Sequence, residues 1–247
     1  MNLRGAFHLM VVYLVWGSTY LAIRVAVREG SGFPPFLMAG TRVLAGGLIL
    51  WIWACALRAR VRPTRAELGT LVGSALLLWI GGNGAVVWGS QRADSVYAAL
   101  LVGALPLWVA ILEALVDRRP PTPGLAVSLL VGFAGIALIS WPELRVARGP
   151  ELAPTVALLL APLSWGIGTV LQQRRPVSLT PEASSGTQQL FAGGFFLLLA
   201  LGTREPVPSP APDAWWAWGY LVLVGSVVAF TSFVRALRLL PAKVVMT

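Results

Sequence analysis

The residues WG at 16–17 and LAGGL at 44–48 recur as WG at 165–166 and FAGGF at 191–195. Trp165 follows Trp16 by 149 residues and Gly193 follows Gly46 by 147 residues, so the two motifs keep nearly the same spacing. Both copies lie in apolar stretches that are long enough to be membrane helices. A duplicated unit of several membrane helices is typical of secondary transporters, in which the substrate site lies between the two copies. The repeat therefore predicts both an architecture and the position of a site.

The composition indicates a membrane protein. Of the 247 residues, 57% are hydrophobic and 12% are charged, and the mean hydropathy is +0.75. A soluble core of this length could not bury so much apolar surface. Apolar runs of about twenty residues, which match a hydrocarbon core about 30 Å thick, recur along the whole chain. Because the run from Phe7 to Val27 is followed by further runs, we interpret it as a retained first helix and not as a signal peptide.

The net charge of +9 is explained by membrane orientation, so it predicts no nucleic-acid partner. With the N-terminus in the cytoplasm and the loops alternating between the two sides, twelve Lys and Arg residues fall on the cytoplasmic side and five on the other. We therefore expect a multi-pass protein of the inner (plasma) membrane with a cytoplasmic N-terminus. The single cysteine, Cys55, has no partner for an intrachain disulfide.

Hydropathy predicts an all-α polytopic membrane bundle with about eight spans and the start of a ninth. The predicted spans are Phe7 to Val27, Phe36 to Leu57, Leu68 to Gly89, Ser95 to Val116, Gly124 to Trp141, Leu152 to Leu171, Gly186 to Leu201 and Trp215 to Arg235.

Two five-helix repeats in opposite orientations account for this order of spans. The second WG motif lies in the sixth span, so the second unit enters the membrane from the opposite side and the repeat is inverted. We assign residues 1–145 to the first repeat and 150–247 to the second. Residues 237–245 resemble residues 91–99. We therefore expect the second repeat to stop at the start of its ninth span, in a truncated chain or a natural eight-helix variant, and we favour truncation.

The motifs together resemble those of the EamA-type members of the drug/metabolite transporter superfamily. The matching stretches are WGSTY at 16–20, MAGTR at 38–42, AGG at 45–47, GGNG at 81–84, LPL at 105–107, GFAGI at 132–136 and SWG at 164–166. The resemblance implies ten helices in two inverted five-helix repeats around a central substrate cavity. It also implies transport, commonly export, of small metabolites or drug-like solutes by alternating access.

Polar and aromatic residues within the apolar segments are the candidate substrate contacts, because buried polar groups in a membrane need a cavity or a partner. Helical spacing places members of the first, third and sixth spans on shared faces. We expect these spans and the eighth to line a cavity for a small neutral or amphipathic solute. Packing or hydrogen bonding between helices is the alternative role for each residue. The predicted substrate-binding residues are Trp16, Thr19, Tyr20, Asn83, Gln91, Trp165, Thr169 and Gln172.

Two arginines and two prolines within the spans also have predicted roles. Arg24 lies near a helix end and can extend to the interface. Arg42 could contact an anion, but we favour a role in orientation or a bond to backbone carbonyls. Pro162 is expected to kink or break the sixth helix, and the same is expected of Pro106 in the fourth helix.

Catalysis finds little support in the sequence. The only histidine, His8, lies at the membrane edge, and the sequence has neither a metal-ligand cluster nor a Gly-rich phosphate loop with its lysine. We therefore predict no catalytic residue, no metal and no cofactor. A channel or a non-transporting scaffold stays open, although no repeated pore motif or ring of charge is visible. The expected partners are the lipid bilayer and a small-molecule solute, and a homodimer is left open.

Overall fold

The computed structural model describes residues 2–93, 95–120, 122–146 and 152–245, which form helices joined by loops and contain no strand. The helices are α1 Leu3–Ala26, α2 Pro35–Ala56, α3 Arg65–Gly89, α4 Ser95–Val116, α5 Pro123–Val146, α6 Leu152–Arg174, α7 Pro181–Gly202, α8 Pro212–Leu239 and the short α9 Ala242–Val245. The prediction of a polytopic helical bundle is confirmed. The predicted boundary between the two repeats falls largely outside the described residues.

Six described helices are long and apolar enough to cross a membrane, whereas hydropathy predicted eight spans. The six are α1, α2, α3, α4, α6 and α8. Helix α5 is apolar over the shorter stretch Pro123–Leu138. Helix α7 differs because its first half is polar, yet residues 182–189 are all buried. Neighbouring helices therefore shield the polar half of α7. This half lowers the hydropathy of the helix as a whole, so α7 is not among the six, although its part Gly186 to Leu201 was predicted as a span.

Helices α2 and α7, which carry the two AGG motifs, pack with their backbones in contact. A Cβ atom added at Gly47 would lie 3.1 Å from the carbonyl oxygen of Gly186, and one added at Gly186 would lie 3.1 Å from that of Gly47. At Gly193, an added Cβ would lie 3.1 Å from the backbone nitrogen of Leu44. Small residues allow this close approach between membrane helices. The repeated motifs of α2 and α7 thus pack against each other.

Helices α3 and α8 each contain a π-helical segment. These segments are Ala75–Gly84 in α3 and Leu221–Ala229 in α8. Leu221 follows Ala75 by 146 residues, which is close to the spacing of the sequence motifs. A π-helical turn changes which side chains face a neighbour, and such turns are frequent at functional sites. The same local geometry therefore occurs at corresponding positions of the two predicted repeats.

The two intramembrane prolines differ in their effect on helix continuity. Helix α6 continues through Pro162, so the expected break is not seen. Helix α4 is interrupted at Gly103 and Ala104, and its second half begins at Leu105 with Pro106 in the first turn. Proline is accommodated well at the start of a helix because the amide hydrogen it lacks has no intrahelical partner there. The interruption therefore lies in the fourth helix and not in the sixth.

Polar contacts at the helix ends connect segments that the alternating topology places on the same side. One end of the bundle has the ion pairs Arg28–Asp213 and Arg92–Glu29, and the other has Arg60–Glu67, Arg174–Asp117 and Arg235–Glu182. At the first of these ends the carboxylate of Glu205 accepts the amide hydrogens of Phe36 and Leu37, at 2.9 and 2.8 Å. An acidic group at a helix N-terminus is stabilising. Glu205 therefore fixes the start of α2.

Candidate solute cavity

A cavity of about 90 Å³ lies inside the bundle, where α1, α3, α6 and α8 meet with one contribution from α2 and two from α4. Five of the eight predicted substrate-binding residues line it: Trp16, Thr19, Tyr20, Asn83 and Trp165. The other lining residues are Ile23, Arg42, Trp79, Gly82, Val86, Val102, Leu105, Ala161, Pro162, Gly225 and Phe230. The structure thus brings together the tryptophans of both WG motifs and the side-chain amide of Asn83 in α3.

Aromatic rings form much of the cavity wall. The rings of Trp16 and Trp165 have centroids 5.2 Å apart and are nearly perpendicular, at 86°. Trp79 and Phe230 form a second pair, with centroids 4.7 Å apart. Phe233 lies behind the wall, 5.2 Å from Trp16 and 5.9 Å from Trp165. Aromatic pairs at these separations pack favourably and hold large rigid surfaces in place. The apolar part of the cavity is therefore preformed.

Four polar atoms of the cavity residues are buried without a hydrogen-bond partner among the residues described. They are Nη1 of Arg42, Nε1 of Trp79, Nε1 of Trp165 and Oδ1 of Asn83. Leaving a buried polar group unpaired costs about 1–3 kcal/mol, so nearly all such groups in proteins are paired. These four atoms line the same cavity, so they are available for hydrogen bonds to a molecule bound there.

Arg42 is the charged residue of the cavity, and it is only 3% exposed. Its Nε donates to the hydroxyl of Ser226 at 3.1 Å, and its guanidinium carbon lies 6.0 Å from the centre of the Trp79 ring. Gly225 gives the guanidinium room, because an added Cβ there would be 3.1 Å from Nη2. The π-helical segment of α8 thus holds one edge of the guanidinium by Ser226 and leaves another edge unpaired.

The hydroxyl of Thr19 is already used as a donor. It donates to the carbonyl of Trp16 at 2.7 Å, so it offers only its lone pairs to a solute. The hydroxyl of Ser18 likewise contacts the carbonyl of Val15 at 2.7 Å and the hydroxyl of Tyr220 at 2.5 Å. The fully buried donors of the cavity that lack a partner among the described residues are the indole groups of Trp79 and Trp165 and the guanidinium of Arg42.

Three predicted residues lie elsewhere. Gln91 follows the end of α3 at Gly89, and its carbonyl accepts from Arg24, as does that of Ser90. The hydroxyl of Thr169 donates to the carbonyl of Trp165 at 2.9 Å. Gln172 donates to Gln188 at 3.0 Å and lines a second cavity of about 520 Å³ at the ends of α6 and α8. These three residues do not join the central cavity.

Trp79 and Phe230 were not predicted from the sequence, and Arg42 was predicted to have a structural role. Trp79 precedes Asn83 by four residues, which was the available signal for its position. Phe230 immediately follows a π-helical segment that hydropathy cannot detect. The partner of Arg42 is Ser226, which is 184 residues away in the sequence, so no local pattern indicates it.

Acidic residues and metal ligands do not contribute to the described cavity. None of its lining residues is Asp or Glu. Within the described residues, no three His, Cys, Asp or Glu side chains are grouped so that they could hold a metal ion. The cavity therefore offers aromatic surface, one guanidinium, two buried indole N–H groups, one buried amide oxygen and the hydroxyl groups of Thr19 and Tyr20 for binding.

Proteins with similar sequences are described as transporters. The chain is 29% identical over 233 residues to YedA of Escherichia coli K12, an uncharacterized inner membrane transporter, and covers 73% of its length. It is 26% identical over 200 residues to the uncharacterized transporter YoaV of Bacillus subtilis, of which it covers 66%. With the six apolar helices, these similarities identify a multi-pass membrane protein and indicate transport, not catalysis.

Comparison with a solved fold and with a protein family agrees with this assignment. A crystal structure of another protein, 18% identical in sequence, superposes with a TM-score of 0.69 over 98% of this chain and 82% of that one. This likeness concerns the fold alone. The sequence model of the EamA-like transporter family matches residues 3–141 and 153–247. The chain belongs to the EamA-like transporter family.

Proposed function

We propose that the protein moves a small amphipathic solute across the membrane through the central cavity. The observation that carries this proposal is the composition of the cavity wall, in which both WG motifs supply aromatic surface next to unpaired polar atoms. Binding sites for small molecules combine an apolar wall with a few polar groups that orient the ligand. Trp16 and Trp165 contact the apolar part of the solute, while Asn83 accepts a hydrogen bond from it. Thr19 and Tyr20 complete the wall.

Transport proceeds by alternating access, with the two predicted repeats moving against each other. The interruption of α4 supports this mechanism, because Val102 and Leu105 on either side of it line the cavity. The π-helical segments of α3 and α8 also reach the cavity, through Asn83 and Gly225. Discontinuous helices near the midplane are common at transporter binding sites.

The direction of transport is export, as expected from the family resemblance, with the N-terminus in the cytoplasm. The excess of Lys and Arg at one end of the bundle supports this orientation. The 520 Å³ cavity that contains Gln172 lies at the same end. We assign it as the vestibule through which the solute enters from the cytoplasm.

The transport proposal is tested by solute flux into liposomes that contain the chain. A panel of labelled amino acids, monocarboxylates, nucleosides and cationic drugs is offered, and uptake is compared with protein-free liposomes. We expect at least one class to enter faster than in the empty liposomes. Trp165→Ala should abolish this excess, while Trp216→Ala should retain it, because Trp216 is 82% exposed and lies away from the cavity.

Two outcomes of the flux experiment would contradict the proposal. The first is that no solute class exceeds the empty liposomes. The second is that Trp165→Ala and Trp216→Ala change the flux equally. Orientation is tested separately by cysteine labelling in a Cys55→Ser background. Arg62→Cys and Arg204→Cys should react from opposite sides, and reaction from the same side would contradict the alternating topology.

A further inference from the structure

Arg42 is a buried cation without an acidic partner in the described part of the chain. The five ion pairs recorded there all involve residues at the helix ends, and none includes Arg42. Its guanidinium contacts a neutral hydroxyl and an aromatic ring, which do not neutralise its charge. Buried charges in proteins are normally paired, because burial without a partner is strongly unfavourable. The surroundings of Arg42 therefore lack a negative charge.

The unpaired atoms around Arg42 are mostly donors. Nη1 of Arg42, Nε1 of Trp79 and Nε1 of Trp165 each carry a hydrogen that no described residue accepts. Against these donors stands one unpaired acceptor, Oδ1 of Asn83. An arginine nitrogen cannot accept a hydrogen bond and an indole N–H is a donor only, so this excess cannot be reversed by a change of tautomer. The cavity is suited to a solute rich in acceptors.

We propose that the transported solute carries a single carboxylate, which binds beside Arg42. This inference rests on the proposed transport function and specifies the chemical class of its solute. The carboxylate accepts a hydrogen bond from Nη1 of Arg42 and a second from an indole N–H of Trp79 or Trp165. Hydrogen bonds between a guanidinium and a carboxylate are among the strongest in proteins. The apolar remainder of the solute lies against Trp16 and Phe230.

Charge balance selects this class over others. One guanidinium neutralises one negative charge, whereas a phosphate monoester close to neutral pH carries nearly two. A cationic solute would be repelled by Arg42, and no lining carboxylate offsets that repulsion. A neutral amide would leave the guanidinium charge unpaired. A monocarboxylate with an apolar body therefore matches both the charge and the wall of the cavity.

Ser226 positions the guanidinium for this contact. Its hydroxyl accepts from Nε of Arg42 at 3.1 Å, and its carbonyl accepts from Nε2 of Gln189 at 2.9 Å. Gln189 of α7 thus fixes the position of Ser226 in α8, and Ser226 in turn fixes the guanidinium of Arg42. Ser226 is a positioning residue, since it does not line the cavity itself.

Equilibrium dialysis of the purified chain in lipid nanodiscs tests the proposal with labelled acids and their matched primary amides. The pairs are phenylacetate with phenylacetamide, 3-methylbutanoate with 3-methylbutanamide, and indole-3-acetate with indole-3-acetamide. We expect at least one acid to bind about tenfold to a hundredfold more tightly than its amide, because only the acid pairs with the charge. Phenethylamine, the matched cation, should not compete.

Variants assign this preference to Arg42. Arg42→Gln should remove the preference for the acid and leave the affinity for the amide nearly unchanged. Arg24→Gln is the matched control, because Arg24 is also an arginine of a membrane helix but donates to the carbonyls of Ser90 and Gln91. It should retain the preference. If Arg42→Gln does not fold, the acid-to-amide ratio of the unaltered chain still tests the solute class, and Gly225→Ala, whose methyl group would lie 3.1 Å from Nη2 of Arg42, tests the place of binding by lowering the affinity for the acid more than that for the amide.

The inference is overturned if the amides bind as tightly as the acids, if phenethylamine competes, or if none of the acids binds. Its failure is distinguishable from failure of the transport proposal. Flux of a nucleoside or a cation without carboxylate binding would support the transport proposal and contradict the carboxylate proposal. Carboxylate binding that depends on Arg42, without flux of any solute, would support the carboxylate proposal and contradict the transport proposal.

Discussion

Helix α2 takes part in two regions that are built in opposite ways. Towards α7 it presents Gly47, where an added Cβ would lie 3.0 Å from the backbone nitrogen of Leu190 and 3.1 Å from the carbonyl oxygen of Gly186, so the backbones meet with no room for a side chain. Towards the centre it presents Arg42, beside a cavity in which four buried polar atoms lack partners in the described chain. The α2–α7 contact is made by the protein alone, whereas we propose that the cavity binds a solute. We therefore expect substitutions in the first region to affect stability and those in the second to affect binding.

The largest expected effect is in the α2–α7 contact, where Gly193→Leu should prevent normal folding. An added Cβ at Gly193 would lie 2.7 Å from Cδ2 and 3.1 Å from the backbone nitrogen of Leu44. Overpacking costs about 1–3 kcal/mol and occasionally more, and here backbone atoms block relaxation. Gly194→Leu is the control, because its Cβ would meet nothing within 4 Å. Size-exclusion profiles and thermal unfolding in detergent measure the difference, and equal melting temperatures would contradict the account.

Smaller effects are expected from two indole groups, of which Trp165 lines the cavity with its N–H unpaired and Trp218 lies outside the cavity with its N–H paired. Trp165→Phe removes an unpaired N–H, so it should weaken solute binding about twofold to tenfold, as expected for one hydrogen bond. Trp218→Phe removes an N–H that donates to the hydroxyl of Thr41 at 3.1 Å. It should lower stability by about 1 kcal/mol and leave binding unchanged. Dialysis and thermal unfolding of both variants test the contrast, which a reversed pattern would refute.

Gly225→Ala should produce an effect that is smaller still and confined to binding. The added methyl group would lie 3.1 Å from Nη2 of Arg42, so the guanidinium must shift by a few tenths of an ångström. We expect carboxylate affinity to fall about twofold to fivefold, because charge-assisted hydrogen bonds depend on geometry. Gly219→Ala in the same helix is the control, since its methyl group would meet nothing within 4 Å. Identical affinities of the two variants would show that Arg42 is not held where we infer.

The smallest effect is expected at the surface, where Arg28→Gln breaks the ion pair with Asp213. Both side chains are about half exposed, and the Nη2–Oδ2 distance is 2.7 Å. Exposed ion pairs contribute about 0–1 kcal/mol, so the melting temperature and the affinity should barely change. A loss of stability comparable to that of Gly193→Leu would mean that the loops, and not the glycine contact, hold the bundle together.

Part of this arrangement could be predicted from the sequence because it depends on local pattern. Hydropathy predicted the helical bundle. The repeated WG motif predicted Trp16 and Trp165 as site residues, and their rings meet in the cavity. Helical spacing also predicted Asn83 and Gln91 on one face of the third span. Asn83 lines the cavity, whereas Gln91 lies beyond the end of α3. The number of apolar spans differed from the prediction at two helices: α7 buries a polar first half inside the protein, and α5 is apolar only over Pro123–Leu138.

The remaining features depend on contacts between distant residues. Arg42 meets Ser226 only because α2 packs beside the π-helical segment of α8. Phe230 reaches the cavity from the end of that segment, where α-helical spacing no longer predicts which side chains share a face. Gln172 was assigned to the face of Trp165, but the tertiary structure pairs it with Gln188. A sequence pattern cannot identify partners of this kind when they are separated by many helices.

The most direct test of the central claim is whether a solute protects the cavity from chemical labelling. Val102→Cys introduces a thiol into the cavity wall, while the native Cys55 is exposed and lies away from the cavity. N-ethylmaleimide labelling of both sites is followed by peptide mass spectrometry, with and without the carboxylate that binds most tightly. We predict that the solute slows labelling at position 102 and leaves Cys55 unchanged. Unchanged rates at both sites, or equal slowing at both, would contradict the account.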